Sequence, residues 1–96
     1  MKTESTTPTI ELGQVVMTQG IQNLAGVAHI LDVNDLLHRH ANGDWGNLDE
    51  EDAAANDHAV DNKERILSSY LLAGEKVWII TEWDRSVTTI LLPKEY

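Results

Sequence analysis

The chain has 96 residues, and 16 Asp and Glu against 7 Lys and Arg give it a formal net charge of −9. This length fits one domain, and the lack of cysteine excludes disulfides, thiolate metal sites and cysteine nucleophiles. The excess of acidic over basic residues disfavours direct binding of nucleic acid, which depends on clustered Lys and Arg. No apolar run approaches the roughly 20 residues of a membrane span, so we expect a cytoplasmic protein without membrane contact.

The first half of the chain predicts one strand and two short helices. We expect residues 1–8 to be a flexible polar lead-in and residues 9–96 a single domain that begins with a strand over 10–17. Thr18 is a suitable N-cap for a helix whose apolar face carries Ile21, Leu24, Ala25 and Ala28. Asp32 or Asn34 is expected to cap a second helix, which Gly43 ends.

The second half predicts a third helix followed by β-structure. Asp49 opens the helix, which should fray near residues 61–62. Strands are expected over 65–73, 76–83 and 87–92, with turns at Gly74-Glu75 and at residues 84–86. The predicted fold is therefore α+β: an N-terminal strand, two or three short helices, and a three-stranded antiparallel meander with the helices on one sheet face.

The histidines raise the question of a metal site. His38 and His40 lie two apart, and on a helix such side chains point about 200° away from each other. We therefore expect His40 to lie against the core with one ring hydrogen bond, for which Asp44 is an acceptor, and His38 to face solvent. Asp57 and Asp61, near His58, would suit a divalent ion, but a solvated helix face gives the same pattern and is far more common. We expect no metal and no other cofactor.

Acidic residues are concentrated in the middle of the chain. Eight of the 16 carboxylates fall within residues 44–64. Trp45 is either a cap on the core or the anchor of a docking surface with an acidic rim. Glu82, Asp84 and Arg85 surround the last turn, where they form turn contacts or a polar cluster. The predicted partner-binding residues are these: Asp44, Trp45, Asp49, Glu50, Glu51, Asp52, Glu82, Asp84 and Arg85.

Three segments resemble one family of small proteins. They are HANGDWG at residues 40–46, the acidic 49–52 with Asn56, and the long block from Trp78 to Pro93. This pattern is similar to the "plasmid-related proteins" carried by bacterial plasmids, phages and other mobile elements, although Trp83 stands where that pattern has a small residue. The resemblance implies a setting in which small acidic proteins block host defence nucleases by protein–protein contact.

These observations favour an acidic interaction protein of a mobile element. It would inhibit a host nuclease, of a restriction or CRISPR system, by binding the nuclease rather than nucleic acid. The alternative is a small enzyme or metal-binding protein that uses His40 with Asp44 and the cluster of Glu82, Asp84 and Arg85. A homodimer formed through an edge strand of the meander is compatible with either function.

Overall fold

The computed structural model describes residues 10–96, so the lead-in predicted for residues 1–8 lies outside the described residues. Within this range the fold is α+β, as predicted, with three helices and four strands. In chain order the elements are β1 Gln14–Met17, α1 Gln19–Ala25, α2 Ile30–Ala41, α3 Glu50–Asn62, β2 Ile66–Leu72, β3 Glu75–Thr81, β4 Val87–Leu91 and a 3-10 turn Pro93–Glu95. No helix in residues 10–96 is long and apolar enough to cross a membrane.

The sheet has one more strand than the predicted meander. β2, β3 and β4 form an antiparallel meander, and β1 joins it by lying parallel to β4, which gives the order β1-β4-β3-β2. The predicted meander is therefore part of a larger, mixed sheet, because β1, whose pairing the sequence leaves open, adds a fourth strand in parallel. The three helices between β1 and β2 provide a connection long enough for β1 to cross over and pair in parallel with β4.

The core lies between the helices and the inner face of the sheet. Alternation along the strands places Tyr70, Val77 and Ile79 on this face, where each is at most 1% exposed. Ile21 of α1 and Val33 of α2 pack into the same cluster. The apolar spacings that predicted these two helices thus identify their buried faces correctly.

Two predicted boundaries are wrong for local reasons. α2 begins at Ile30 with His29 at the N-cap position, and the His29 ring bonds to Asp32 rather than leaving Asp32 to cap the helix. The β2–β3 turn is Ala73-Gly74 rather than Gly74-Glu75. Both turn residues have positive φ, 52° and 80°, as a type I′ turn requires. The predicted caps at Thr18 and Asp49 are confirmed, because each side chain accepts a backbone N–H of its helix.

Candidate functional site

The loop before α3 closes the outer edge of β2. Gly46 pairs with Ser69 in an isolated parallel bridge, and Asn47 N–H and Trp45 C=O bond to the Ser69 backbone at 2.7 and 3.2 Å. Gly46 has φ of 76°, and a Cβ there would lie 2.0 Å from the Ser69 carbonyl oxygen, so only glycine fits. The loop therefore acts as a short additional strand.

Trp45 lies in the core, at 7% exposure. Its indole N–H donates to Asp57 at 3.0 Å, and its ring packs edge-on against His40 with 6.0 Å between ring centroids. Of its two predicted roles, capping the core agrees with this position. Trp45 has little exposed surface with which to anchor a partner. Its hydrogen bond to Asp57 holds the loop against α3.

Asp44 is held by a neighbouring arginine. The Arg39 guanidinium donates to its two carboxylate oxygens at 2.7 and 3.2 Å, and the Gly46 N–H donates a third bond. The hydrogen bond from Arg39 holds the pKa of Asp44 below its usual value. Arg39 also lies over the ring of Tyr70, 4.8 Å from its centroid. Asp44 therefore belongs to a surface ion pair and is not hydrogen-bonded to the His40 ring.

His40 is the centre of a buried polar network. Its Nδ1 lies 2.6 Å from Ser68 Oγ on β2, and its Nε2 lies 2.8 Å from Thr81 Oγ1 on β3. Thr81 Oγ1 is in turn hydrogen-bonded to Thr88 Oγ1 on β4 at 2.7 Å, and the Thr88 hydroxyl donates to the Leu12 carbonyl at 2.7 Å. The four side chains are fully buried, so this network joins α2, three strands and the segment before β1.

The direction of the network fixes the tautomer of His40. The Leu12 carbonyl oxygen can only accept a hydrogen bond, so the Thr88 hydroxyl donates its one proton to it. Thr88 must therefore accept a hydrogen bond from the Thr81 hydroxyl. Thr81 in turn accepts from His40, so Nε2 carries the proton and Nδ1 accepts from Ser68. Burial, and next the charge of Arg85, lower the pKa of His40 to about 4. With a neutral His40 imidazole, every hydrogen-bond donor in this network has an acceptor.

This geometry corrects the predicted contacts of His40. The prediction of a core histidine with one donated ring bond is confirmed, but the acceptor is Thr81 rather than Asp44. Ser68 and His40 are as close as a nucleophile and its general base, yet both are completely buried, so no substrate reaches them. His38 is exposed, and among residues 10–96 no three His, Asp or Glu side chains are grouped to hold a metal ion.

The predicted cluster at the last turn is divided among three separate contacts. Glu82 pairs with Arg65 at 3.1 Å, and Asp84 accepts the backbone N–H and the hydroxyl of Ser86. Arg85 donates to the carbonyls of Ala59, Glu64 and Glu82 at 2.6 to 3.0 Å. Arg85 therefore fastens the β3–β4 turn to the C-terminal end of α3, where a cation complements the helix dipole.

The remaining predicted residues form one exposed surface at the start of α3. We call Asp49, Glu50, Glu51 and Asp52 the acidic turn. Asp49 caps the helix, and the side chains of the other three are exposed. Within residues 10–96 no Lys or Arg forms a salt bridge with the acidic turn, and α3 itself contains neither residue type.

A shallow cleft adjoins the acidic turn on the outer face of the sheet. Its volume is about 570 Å³. Asp49 and Asp52 form its acidic side, while Leu67 and the half-buried Trp78 contribute an apolar floor. The other polar residues that line it are Asn47, Asn56, Ser69 and Lys76. An acidic rim around Trp45 is one of the two alternatives that the sequence offers for this residue; in the structure, the tryptophan beside the acidic turn is Trp78. Nothing in the local sequence could show this, because Trp78 reaches α3 only through the pairing of β3 with β2.

Comparison with known proteins identifies no relative. No family model, no curated protein and no solved structure matches the chain.

Proposed function

We propose that this protein acts by binding another protein, and that the acidic turn with its adjoining cleft is the binding surface. The observation that carries the proposal is a run of four carboxylates without a salt bridge to any Lys or Arg of residues 10–96, of which Asp49 and Asp52 line a cleft with an apolar floor. The partner would present basic side chains.

The chemistry of the cleft suits an arginine or lysine side chain. Such a side chain has an aliphatic stem that lies along apolar surface and a cationic head that needs an anionic partner. Leu67 and Trp78 would contact the stem, while Asp49 and Asp52 would receive the head. Asp49 would retain its bond to the Asp52 N–H through its other oxygen.

The class of partner is proposed from two sources. A basic groove that binds nucleic acid carries the charge that the acidic turn complements. The resemblance of residues 40–46 and 78–93 to proteins of mobile elements selects, among basic proteins, a nuclease of a host restriction or CRISPR system. The protein would then inhibit the nuclease by occupying its groove.

The test is affinity capture from host-cell lysate, followed by binding measurements with each purified candidate at low and moderate salt. One variant removes the charge of the acidic turn through Glu50→Gln, Glu51→Gln and Asp52→Asn and keeps the Asp49 cap. The control removes the same charge elsewhere on the exposed surface, through Glu11→Gln, Asp35→Asn and Glu75→Gln. We expect the first variant to bind about tenfold more weakly and the control to bind like wild type.

A second pair of variants tests the cleft. Ala55 lines the cleft, whereas Ala54, also exposed, does not. Ala55→Leu fills the cleft and should weaken binding, while Ala54→Leu makes the same change outside it. A partner that binds both charge variants equally, or both leucine variants equally, would contradict this binding surface.

A further inference from the structure

The floor of the cleft beside the acidic turn contains a buried serine. Because alternate residues of β2 point to opposite faces of the sheet, Ser68 reaches His40 on the inner face and Ser69 lies on the outer face. Ser69 lines the cleft and is 5% exposed. Within residues 10–96 its backbone N–H and C=O bond to the loop before α3, but its hydroxyl group forms no hydrogen bond. Buried hydroxyl groups in proteins nearly always have a partner, so this group is available to a ligand in the cleft.

A lysine lies next to this hydroxyl group on the same face of the sheet. In the register of β2 and β3, Ser69 is opposite Trp78 and Leu71 is opposite Lys76, so Lys76 is the diagonal neighbour of Ser69. Diagonal neighbours on one face are ~7–8 Å apart, within reach of a long side chain. Lys76 is exposed, lines the same cleft and forms no salt bridge within residues 10–96. Its ammonium group and the Ser69 hydroxyl group can therefore bind one acceptor together.

The cleft thus has two sides of opposite charge above an apolar floor. Asp49 and Asp52 carry the negative charge, and Lys76 carries the positive charge next to the Ser69 hydroxyl group. A ligand with only a basic group would leave this hydroxyl group without a partner and would lie close to a like charge. A ligand with a neighbouring carboxylate removes both disadvantages, because the carboxylate accepts hydrogen bonds from the hydroxyl and ammonium groups.

We propose that the cleft binds an extended segment of the partner protein that carries a basic and an acidic residue two positions apart. Side chains two positions apart in an extended chain lie on one face, ~7 Å from each other. The basic side chain would bind Asp49 and Asp52, and the carboxylate would bind Lys76 and Ser69. The inference rests on the proposed function, because it keeps the basic side chain in the same cleft and adds the group beside it.

The test titrates the full chain with acetylated and amidated peptides and follows its backbone amides by NMR. The peptides are GTKTDTG and GTDTKTG, each compared with a counterpart in which Asn replaces Asp, and the amide shifts of Asn47, Ser69 and Lys76 report binding in the cleft. The net charge of −9 repels an added carboxylate, so a preference for Asp over Asn requires local donors. We expect about fivefold tighter binding of the Asp peptide in at least one of the two orders.

Two variants and a matched control assign this preference to residues. Lys76→Met removes the charge and keeps a long stem, and Ser69→Ala removes the hydroxyl group. Lys63→Met makes the same change as Lys76→Met at the opposite end of α3, where Lys63 is exposed and outside the cleft. We expect the preference for Asp to fall to about twofold or less in the first two variants and to remain in the control.

Urea unfolding of Ser69→Ala tests the state of the hydroxyl group without any ligand. Removal of an unbonded buried hydroxyl group should leave the unfolding midpoint unchanged or raise it. A lower midpoint would show that the group already has a partner within the protein, and would overturn the proposal.

The peptide results separate this inference from the proposed function. Equal binding of Asp and Asn peptides that is weakened by the acidic-turn variant Glu50→Gln, Glu51→Gln and Asp52→Asn overturns the inference and leaves the proposed function standing. Binding that this variant leaves unchanged contradicts both. Peptides that shift no amide of the cleft, or a preference for Asp that survives Lys76→Met and Ser69→Ala, also overturn the inference.

Discussion

Acidification should destabilise the fold through His40. The unfolded chain binds a proton at this imidazole near pH 6.5, whereas burial lowers the pKa to about 4 in the folded state. Between these values the unfolded state binds more protons, so stability rises with pH. The contribution of His40 is fully present above pH 6.5 and is lost progressively as the pH falls from about 6.5 to about 4.

The size of the effect follows from the two pKa values. One pKa unit corresponds to about 1.4 kcal/mol, so the full loss is about 3 kcal/mol, of which about 2 kcal/mol falls between pH 7 and pH 5. The carboxyl groups of Asp44, Asp84 and Glu95 have pKa values lowered by hydrogen bonds, from Arg39, Ser86 and Thr18 respectively. They therefore titrate below this window.

The assay is urea unfolding at several pH values for wild type and His40→Gln. Gln keeps a polar side chain at the site but does not titrate, and the three other histidines remain in both proteins. We expect the slope of unfolding free energy against pH to be smaller in the variant between pH 5 and 7. An NMR titration of wild type should show the His40 ring neutral at pH 5. A ring that titrates near pH 6.5 in the folded protein, or equal slopes in the two proteins, would refute the reasoning.

Two further predictions concern the contacts that hold the loops. Arg85→Lys should lower the free energy of unfolding by about 2 kcal/mol, because lysine cannot reach the carbonyls of Ala59, Glu64 and Glu82 together. Urea unfolding measures this change, and an unchanged midpoint would show that Arg85 does not hold the β3–β4 turn against α3. Gly46→Ala should lower the free energy of unfolding by about 3 kcal/mol or more, because the new Cβ would clash with the Ser69 carbonyl oxygen and because residue 46 has a positive φ. Thermal unfolding measures this change, with Gly74→Ala as a control that has positive φ but open space around it.

The sequence predicts the elements better than their arrangement. Spacing such as Val33, Leu36 and His40 marks the buried face of α2, and a capping side chain such as Asp49 marks a helix start, because both signals lie within one or two turns of chain. The position of β1 could not be predicted in this way. Its partner β4 is distant in sequence, and parallel pairing leaves no local turn signal.

The candidate site shows the same limit. The acidic turn was predicted as an exposed charged surface, and its three helical residues are exposed. The roles of Trp45 and Arg85 could not be read from their types, because a tryptophan in a loop and an arginine in a turn suit either solvent or a buried contact. Trp45 is fixed by Asp57, and Arg85 by carbonyls of α3. Both partners lie on another element, so only the assembled fold identifies them.

The place of β4 between β1 and β3 has a consequence for synthesis of the chain. Gln14 pairs with Val87, so the first strand to leave the ribosome waits for the last one before it gains a neighbour. At about 5–20 residues per second this wait lasts roughly 4 to 15 seconds. Such distant contacts also slow folding after release. A nascent chain that has not reached Val87 holds all three helices and three of the four strands, yet lacks the strand that connects β1 to the rest of the sheet.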